Sequence, residues 1–226
     1  MSISENIETV VSTFQQGRSL SEQELGLDNL ISKLNQFEPR YRSVAFEGAS
    51  MGVALQSTIE TWKVYAKATE KHDTQVHIGL GWAIAEKELD INSTLREIEP
   101  LMQIKVLEGY GYWHGLFRRR LTIRTQQVPE NIIIEFQKGF DQGVGRSIWY
   151  LAKGEVAKVV NIINHFPEDR RENLWYGIGV ASTYVGGCSE ELISELKSTA
   201  GEFKSNLEKG IEAAEGSMRK AVLDSI

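Results

Sequence analysis

Glycine placement constrains this chain more than any other feature. Fourteen of its 20 glycines fall in six short segments: Gly48 and Gly52; Gly79 and Gly81; Gly109, Gly111 and Gly115; Gly139, Gly143 and Gly145; Gly177 and Gly179; Gly186 and Gly187. Their flanks carry helical periodicity, and a glycine inside a helix costs about 1 kcal/mol relative to alanine. A dozen would cost on the order of 10 kcal/mol, comparable to the stability of a whole domain. Something that a Cβ would forbid has to offset that. The four-residue spacings Gly48/Gly52, Gly111/Gly115 and Gly139/Gly143 put both glycines on one helical face. There a second helix can approach closely, or a ligand can lie against bare backbone.

The surrounding apolar pattern is helical throughout. Val156, Val159, Val160 and Ile163 share one face, as do Ile3, Ile7, Val10 and Phe14. Ser21 with Glu24 reads as a capping box ahead of Leu27, Leu30, Ile31 and Leu34, so two helices are expected over 1–37. From Leu192 through Leu196, Phe203, Leu207, Ile211, Ala214, Met218 and Val222 the stripe predicts one long helix over 188–223, opened by the acidic pair Glu190 and Glu191. Pro39, Pro100, Pro129 and Pro167 punctuate the periodic segments. Only residues 120–125 alternate with β-branched character, enough for a short extended piece.

The glycine segments also resemble one another. Residues 46–52 parallel 140–145 with Phe46 opposite Phe140, residues 78–83 parallel 176–181, and residues 107–115 look like a further copy of the first. Weak self-similarity of this kind is expected of stacked helix pairs. The fold class is therefore all-α: a multi-helix bundle or short helical-hairpin array with glycine-rich helix contacts. Low-complexity linkers are absent, so 1–226 reads as a single all-α domain.

Composition narrows the function classes. A 226-residue chain, 41% hydrophobic and 25% charged, is neither disordered nor fibrous, and it can bury roughly 70% of its unfolded surface without a disulfide or metal staple. Its net charge of −6 argues against nucleic acid as a partner. A lone cysteine, Cys188, and an acidic start without an apolar leader point to a cytoplasmic protein. No run approaches the ~20 apolar residues of a membrane span.

Six ordered motifs, FEGASMG at 46–52, HIGLGWA at 77–83, EGYGYWHG at 108–115, FDQGVGRSIW at 140–149, HFPEDRRENLWYGIG at 165–179 and TYVGG at 183–187, make the sequence resemble the bacterial domain of unknown function family 1702. The motifs cover about 40–190. The resemblance implies a setting more than an activity: genes beside UnbV-type β-propeller proteins in natural-product clusters, enediyne clusters included. It brings no established catalytic residue. Relatives that continue past the last helix imply that a site could be completed by such a tail or by a partner.

Candidate chemistry concentrates at the glycine segments. Glu47, Glu108 and Asp141 each precede a glycine closely. They read either as carboxylates converging on a cavity for acid–base work or as acids favoured by a helix start. Arg146, five residues beyond Asp141, is a possible organising partner. His77 and His114 lie beside Trp82 and Trp113, either for acid–base work or as hydrogen-bonded core residues. The four histidines lack zinc-site spacing, so neither a metal nor a cofactor is expected. Arg118, Arg119 and Arg120 form the one dense basic cluster. It suits a phosphate, a carboxylated substrate or an acidic carrier surface, or forms a solvated face. Trp82, Tyr110, Trp113, Trp149 and Trp175 either pack as core or line an apolar cleft.

Two functions remain open, beside a third reading as a pure scaffold of stacked helices with a contiguous apolar surface patch and no enclosed pocket. The first is a soluble helical protein of bacterial specialised metabolism that binds a partner protein or a hydrophobic biosynthetic intermediate. Here the tryptophans line a cleft, and Arg118, Arg119, Arg120 and Arg146 meet an anionic group. The second is a cofactor-independent cyclase or isomerase of an apolar substrate, with Asp141, Glu47, His77 or His114 moving protons.

Overall fold

The computed structural model describes residues 2–23 and 25–222, and among them every regular element is helical. In chain order the α-helices are α1 (Ile3–Ser21), α2 (Leu27–Leu34), α3 (Arg42–Gln56), α4 (Ile59–Ala68), α5 (Asp73–Glu86) and α6 (Ile91–Arg96). Then come α7 (Pro100–Phe117), α8 (Ile134–Ala152), α9 (Val156–Ile163), α10 (Glu168–Val185), α11 (Glu190–Thr199) and α12 (Lys204–Val222). The chain is an all-α multi-helix bundle. No helix of the described residues is long and apolar enough to cross a membrane.

Local chemistry sets the helix limits. Asp90 caps α6 by accepting from the Asn92 and Ser93 amides, and Ser189 caps α11 by accepting from Leu192. Pro100 is the first residue of α7, where its missing N–H costs nothing. Three expectations change. Ser21 ends α1, its hydroxyl donating to the Arg18 carbonyl, while α2 starts at Leu27 behind the N-cap Gly26, without a side-chain cap; Glu24 lies outside the described residues. Residues Arg120–Arg124 form a π-helical turn rather than an extended piece, reached from α7 through a bend at Arg118. The long terminal helix is divided: α11 stops before Gly201, which adopts φ +57°, and a 3-10 turn at Gly201–Phe203 leads into α12.

Contacts divide the chain into two compact units, one of Thr9–Tyr110 with the chain from Ser217, the other of Gly111–Gly216 with the chain up to Glu8. Each contains a row of four helices in mutual backbone contact. In the first, α1 meets α3, α3 meets α5, and α5 meets the first half of α7. In the second, the last half of α7 meets α8, α8 meets α10, and α10 meets α12. α5 and α10 are buried on nearly all sides, as befits helices inside a stack.

Glycine makes these approaches possible. A Cβ at Gly79 would run into the Glu47 carbonyl oxygen, and one at Gly177 into that of Gln142. At this spacing helix backbones touch directly, with Cα–H groups against carbonyl oxygens. The two rows match contact for contact. Gly17 faces Ala45 and Gly111 faces Phe140; Gly81 faces Val106 and Gly179 faces Leu207; Gly109 faces Ile78 and Gly210 faces Tyr176. Within each helix the separation between counterparts is constant: 95 residues for α3 and α8, 98 for α5 and α10, and 101 for the first half of α7 and α12.

The chain thus contains two copies of one four-helix unit. The true register is one residue away from the match of Phe46 with Phe140: Phe46 corresponds to Asp141, and Phe140 to Ala45. Residues 107–115 are no third copy of 46–52. The first half of α7 corresponds to α12, and its last half corresponds to α1.

Candidate functional site

The acidic residues lie well inside α3, α7 and α8, so first-turn dipole chemistry does not account for them. Each is buried and engaged. A Glu47 carboxylate oxygen accepts from Gln75 Nε2 at 2.7 Å, and Glu108 accepts from Lys105 Nζ at 2.8 Å. Asp141 accepts from Arg170 Nε at 3.0 and 3.1 Å and from Arg170 Nη2, while Arg170 Nη1 donates to the Gln126 carbonyl. Burial raises the Asp141 pKa, and the Arg170 contacts oppose that rise. The ion-pair partner of Asp141 is therefore Arg170 on α10. Arg146 lies about 140° around α8 from Asp141, since five residues advance a helix by that angle beyond a full turn.

Arg170 is the third residue of α10, in a first turn that also holds Glu168 and Asp169. The internal register explains its place. Asp141 and Arg170 occupy the positions held by Phe46 and His72 in the other unit, where the two rings stack with centroids 4.0 Å apart. One unit fills this location with an ion pair, the other with a ring pair.

The histidines are structurally occupied. His77 Nδ1–H donates to the Asp73 carbonyl at 2.7 Å and its ring meets Trp62 edge-on; burial lowers its pKa. His114 packs against Trp113 and Phe140. Burial, helped by the Arg118 charge, lowers its pKa to about 4. His72 Nδ1 bonds to the Ser43 hydroxyl at 2.8 Å, and burial with the nearby Arg42 charge lowers it to about 4. Burial raises the Cys188 thiol to about 11, which keeps it protonated at neutral pH. Among the described residues no group of His, Cys, Asp and Glu could hold a metal ion.

Trp82, Tyr110, Trp113, Trp149 and Trp175 are all buried. Trp82 packs on Phe14, and Trp113 on Phe117. None of these five residues lines a described cleft. The structure does bring Arg146 together with aromatics. Its guanidinium lies 4.9 Å from the Tyr112 ring centroid and 5.8 Å from that of Tyr184, a buried cation–π arrangement.

Residues 117–124 are different. Arg118, Arg119, Arg120 and Arg124 are exposed, and between them Phe117 and Leu121 are 62% and 49% exposed. Arg118 lies over the Trp113 ring. The side chains of Arg119, Arg120 and Arg124 have no partner among the described residues. Four arginines and two large apolar side chains therefore face solvent within one short segment.

A second feature had no sequence signal beyond isolated cations. A cleft of about 420 Å³ is lined by Arg42, Lys67, Lys71, Phe46 and His72, with Ile31, Asn35, Thr69, Glu70 and the alanines Ala68 and Ala221 completing it. Its residues come from α2, α3, the end of α4, the 3-10 turn Glu70–His72 that follows it, and α12, segments outside the glycine motifs except for Phe46. A wider, shallow depression on the other unit is acidic, lined by Glu168, Asp169, Glu172 and Phe203.

Comparison with known proteins adds one finding. The model of a family described as protein of unknown function (DUF1702) matches residues 1–223. No curated protein and no solved structure matches the chain.

Proposed function

The chain belongs to the DUF1702 family of proteins of unknown function, and since that membership assigns no chemistry, we propose a role from the geometry: a non-catalytic binding component that docks on an acidic protein partner through residues 117–124. The observation that carries this is the pairing of exposed Arg119, Arg120 and Arg124, which have no side-chain partner among the described residues, with exposed Phe117 and Leu121. An acidic surface bearing apolar residues complements both features. Elsewhere the chain is strongly acidic, because its net charge of −6 already includes these arginines. A broad anionic bilayer would repel that remainder, whereas a partner of limited footprint meets the basic segment alone, with screening beyond about 8 Å at physiological salt.

The engaged state of the buried acids supports binding over proton-transfer chemistry. Glu47, Glu108 and Asp141 already hold hydrogen-bonded partners. Bacterial specialised metabolism is the setting suggested by the family resemblance, and a partner encoded nearby is the first to try.

Native mass spectrometry of the chain co-expressed with its gene neighbours tests the reading. A complex with an acidic polypeptide that is lost in R119E/R120E/R124E is the expected result. A bare chain, a complex indifferent to the charge reversal, or binding to phosphatidylglycerol vesicles instead would overturn it.

A further inference from the structure

The basic cleft of the first unit lies outside residues 117–124 and is independent of the docking reading. We propose that it binds a small organic anion, a carboxylate or phosphate monoester carried on a flat apolar body. Three cationic side chains, Arg42, Lys67 and Lys71, line it against one acid, Glu70. Lys67 has no side-chain partner among the described residues, and Arg42 Nε donates to the Phe37 carbonyl at 3.3 Å without a carboxylate. Among the described residues, the charges of Lys67 and Arg42 therefore have no carboxylate partner at the cleft, where an anionic group gains most.

The apolar side of the cleft is backed by a buried ring pair, Phe46 at 1% and His72 at 6% exposure. Phe46 and His72 stack with their planes 13° apart, and the Ser43 bond fixes the His72 ring. Ile31 and Ala68 add aliphatic wall. A volume of about 420 Å³ falls within the range of small-molecule sites.

The internal duplication supplies an independent argument. In the other unit the places of Phe46 and His72 are taken by Asp141 and Arg170, which saturate each other. That copy carries its own buried anion. In the first unit Phe46 stands where Asp141 does in the other, so that position holds no carboxylate, and Arg42, Lys67 and Lys71 line a cleft beside it.

The test is amide NMR titration of the full chain with 1-naphthyl phosphate and 1-naphthoate, using 2-naphthol and inorganic phosphate for comparison. The expected result is saturable shifts at Phe46, Ala68 and His72 with at least one naphthyl anion. Affinity should be at least tenfold tighter than for 2-naphthol or inorganic phosphate. K67Q/K71Q should weaken that binding at least tenfold with an unchanged melting temperature. F46D/H72R, which installs the other unit's ion pair, should abolish it while folding. The parallel titrations distinguish carboxylate from phosphate recognition. No binding by either naphthyl anion, equal binding of 2-naphthol, shifts away from the cleft, or full affinity in K67Q/K71Q overturns the proposal.

Discussion

Asp141 and Arg170 show how much a single buried pair decides. Arg170 is 5% exposed and tied to one carboxylate, so Asp141→Asn leaves a buried charge without its counter-ion, at a cost of about 3–5 kcal/mol. Thermal unfolding of Asp141→Asn is expected to fall by roughly 10 °C for a chain of this size. Replacing both partners, D141L/R170M, should recover most of the loss, since a well-packed apolar pair often matches an ion pair. A near-normal melting temperature for Asp141→Asn would remove the structural role. His72 and His114 make a pH prediction. Both have folded pKa values near 4 against about 6.5 unfolded, so protons bind the unfolded chain preferentially. Stability should therefore decline as pH falls from about 6.5 to about 4, with no further contribution from these groups below that. His72→Phe and His114→Phe should each flatten the decline in a series of melting temperatures from pH 7 to 4.

At the scale of elements, glycine contacts hold each row of helices together. Gly79→Ala or Gly177→Ala would ordinarily help a helix by about 1 kcal/mol. Here the added methyl meets a neighbouring carbonyl backbone, and each substitution is expected to destabilise by about 1–3 kcal/mol through forced separation. Gly26→Ala, with open space around it and a negative φ, should be nearly neutral when the three variants are compared by urea titration. The glycine spacing, helical periodicity and resemblance of 78–83 to 176–181 were legible in the sequence because each is local. The interruption at Gly201 was hidden because the apolar stripe continues across it. The register of α3 against α8 was hidden because the match of Phe46 with Phe140 outweighed the backbone contacts that align Phe46 with Asp141. Arg170 escaped for the same reason: its partner lies 29 residues away, where only tertiary packing could bring it.

Across the molecule, duplication has kept a backbone and varied what it encloses. Met51 and Arg146 are counterparts, as are Arg18 and Tyr112, and Glu86 and Tyr184. Arg18 ion-pairs with Glu86 at 2.9 Å beside the Met51 sulfur, whereas Arg146 lies between two tyrosine rings. The cation changes helix, and its partner changes from carboxylate to aromatic face. Such interior freedom beside a fixed frame fits a protein whose function rests on its surfaces. The arginine cluster was readable as residues 118–120, but its exposure, the lack of partners at Arg119 and Arg120 among the described residues, and the flanking Phe117 and Leu121 needed the fold. The most direct measurement is photo-crosslinking from a benzophenone amino acid placed at Arg119, with Lys158 on an exposed face of α9 as control, in cells expressing the neighbouring genes. The account expects one acidic protein captured from position 119, absent from position 158, and lost when Arg120 and Arg124 are reversed to glutamate. Equal capture from both positions, or none from position 119 with the chain folded, would contradict it.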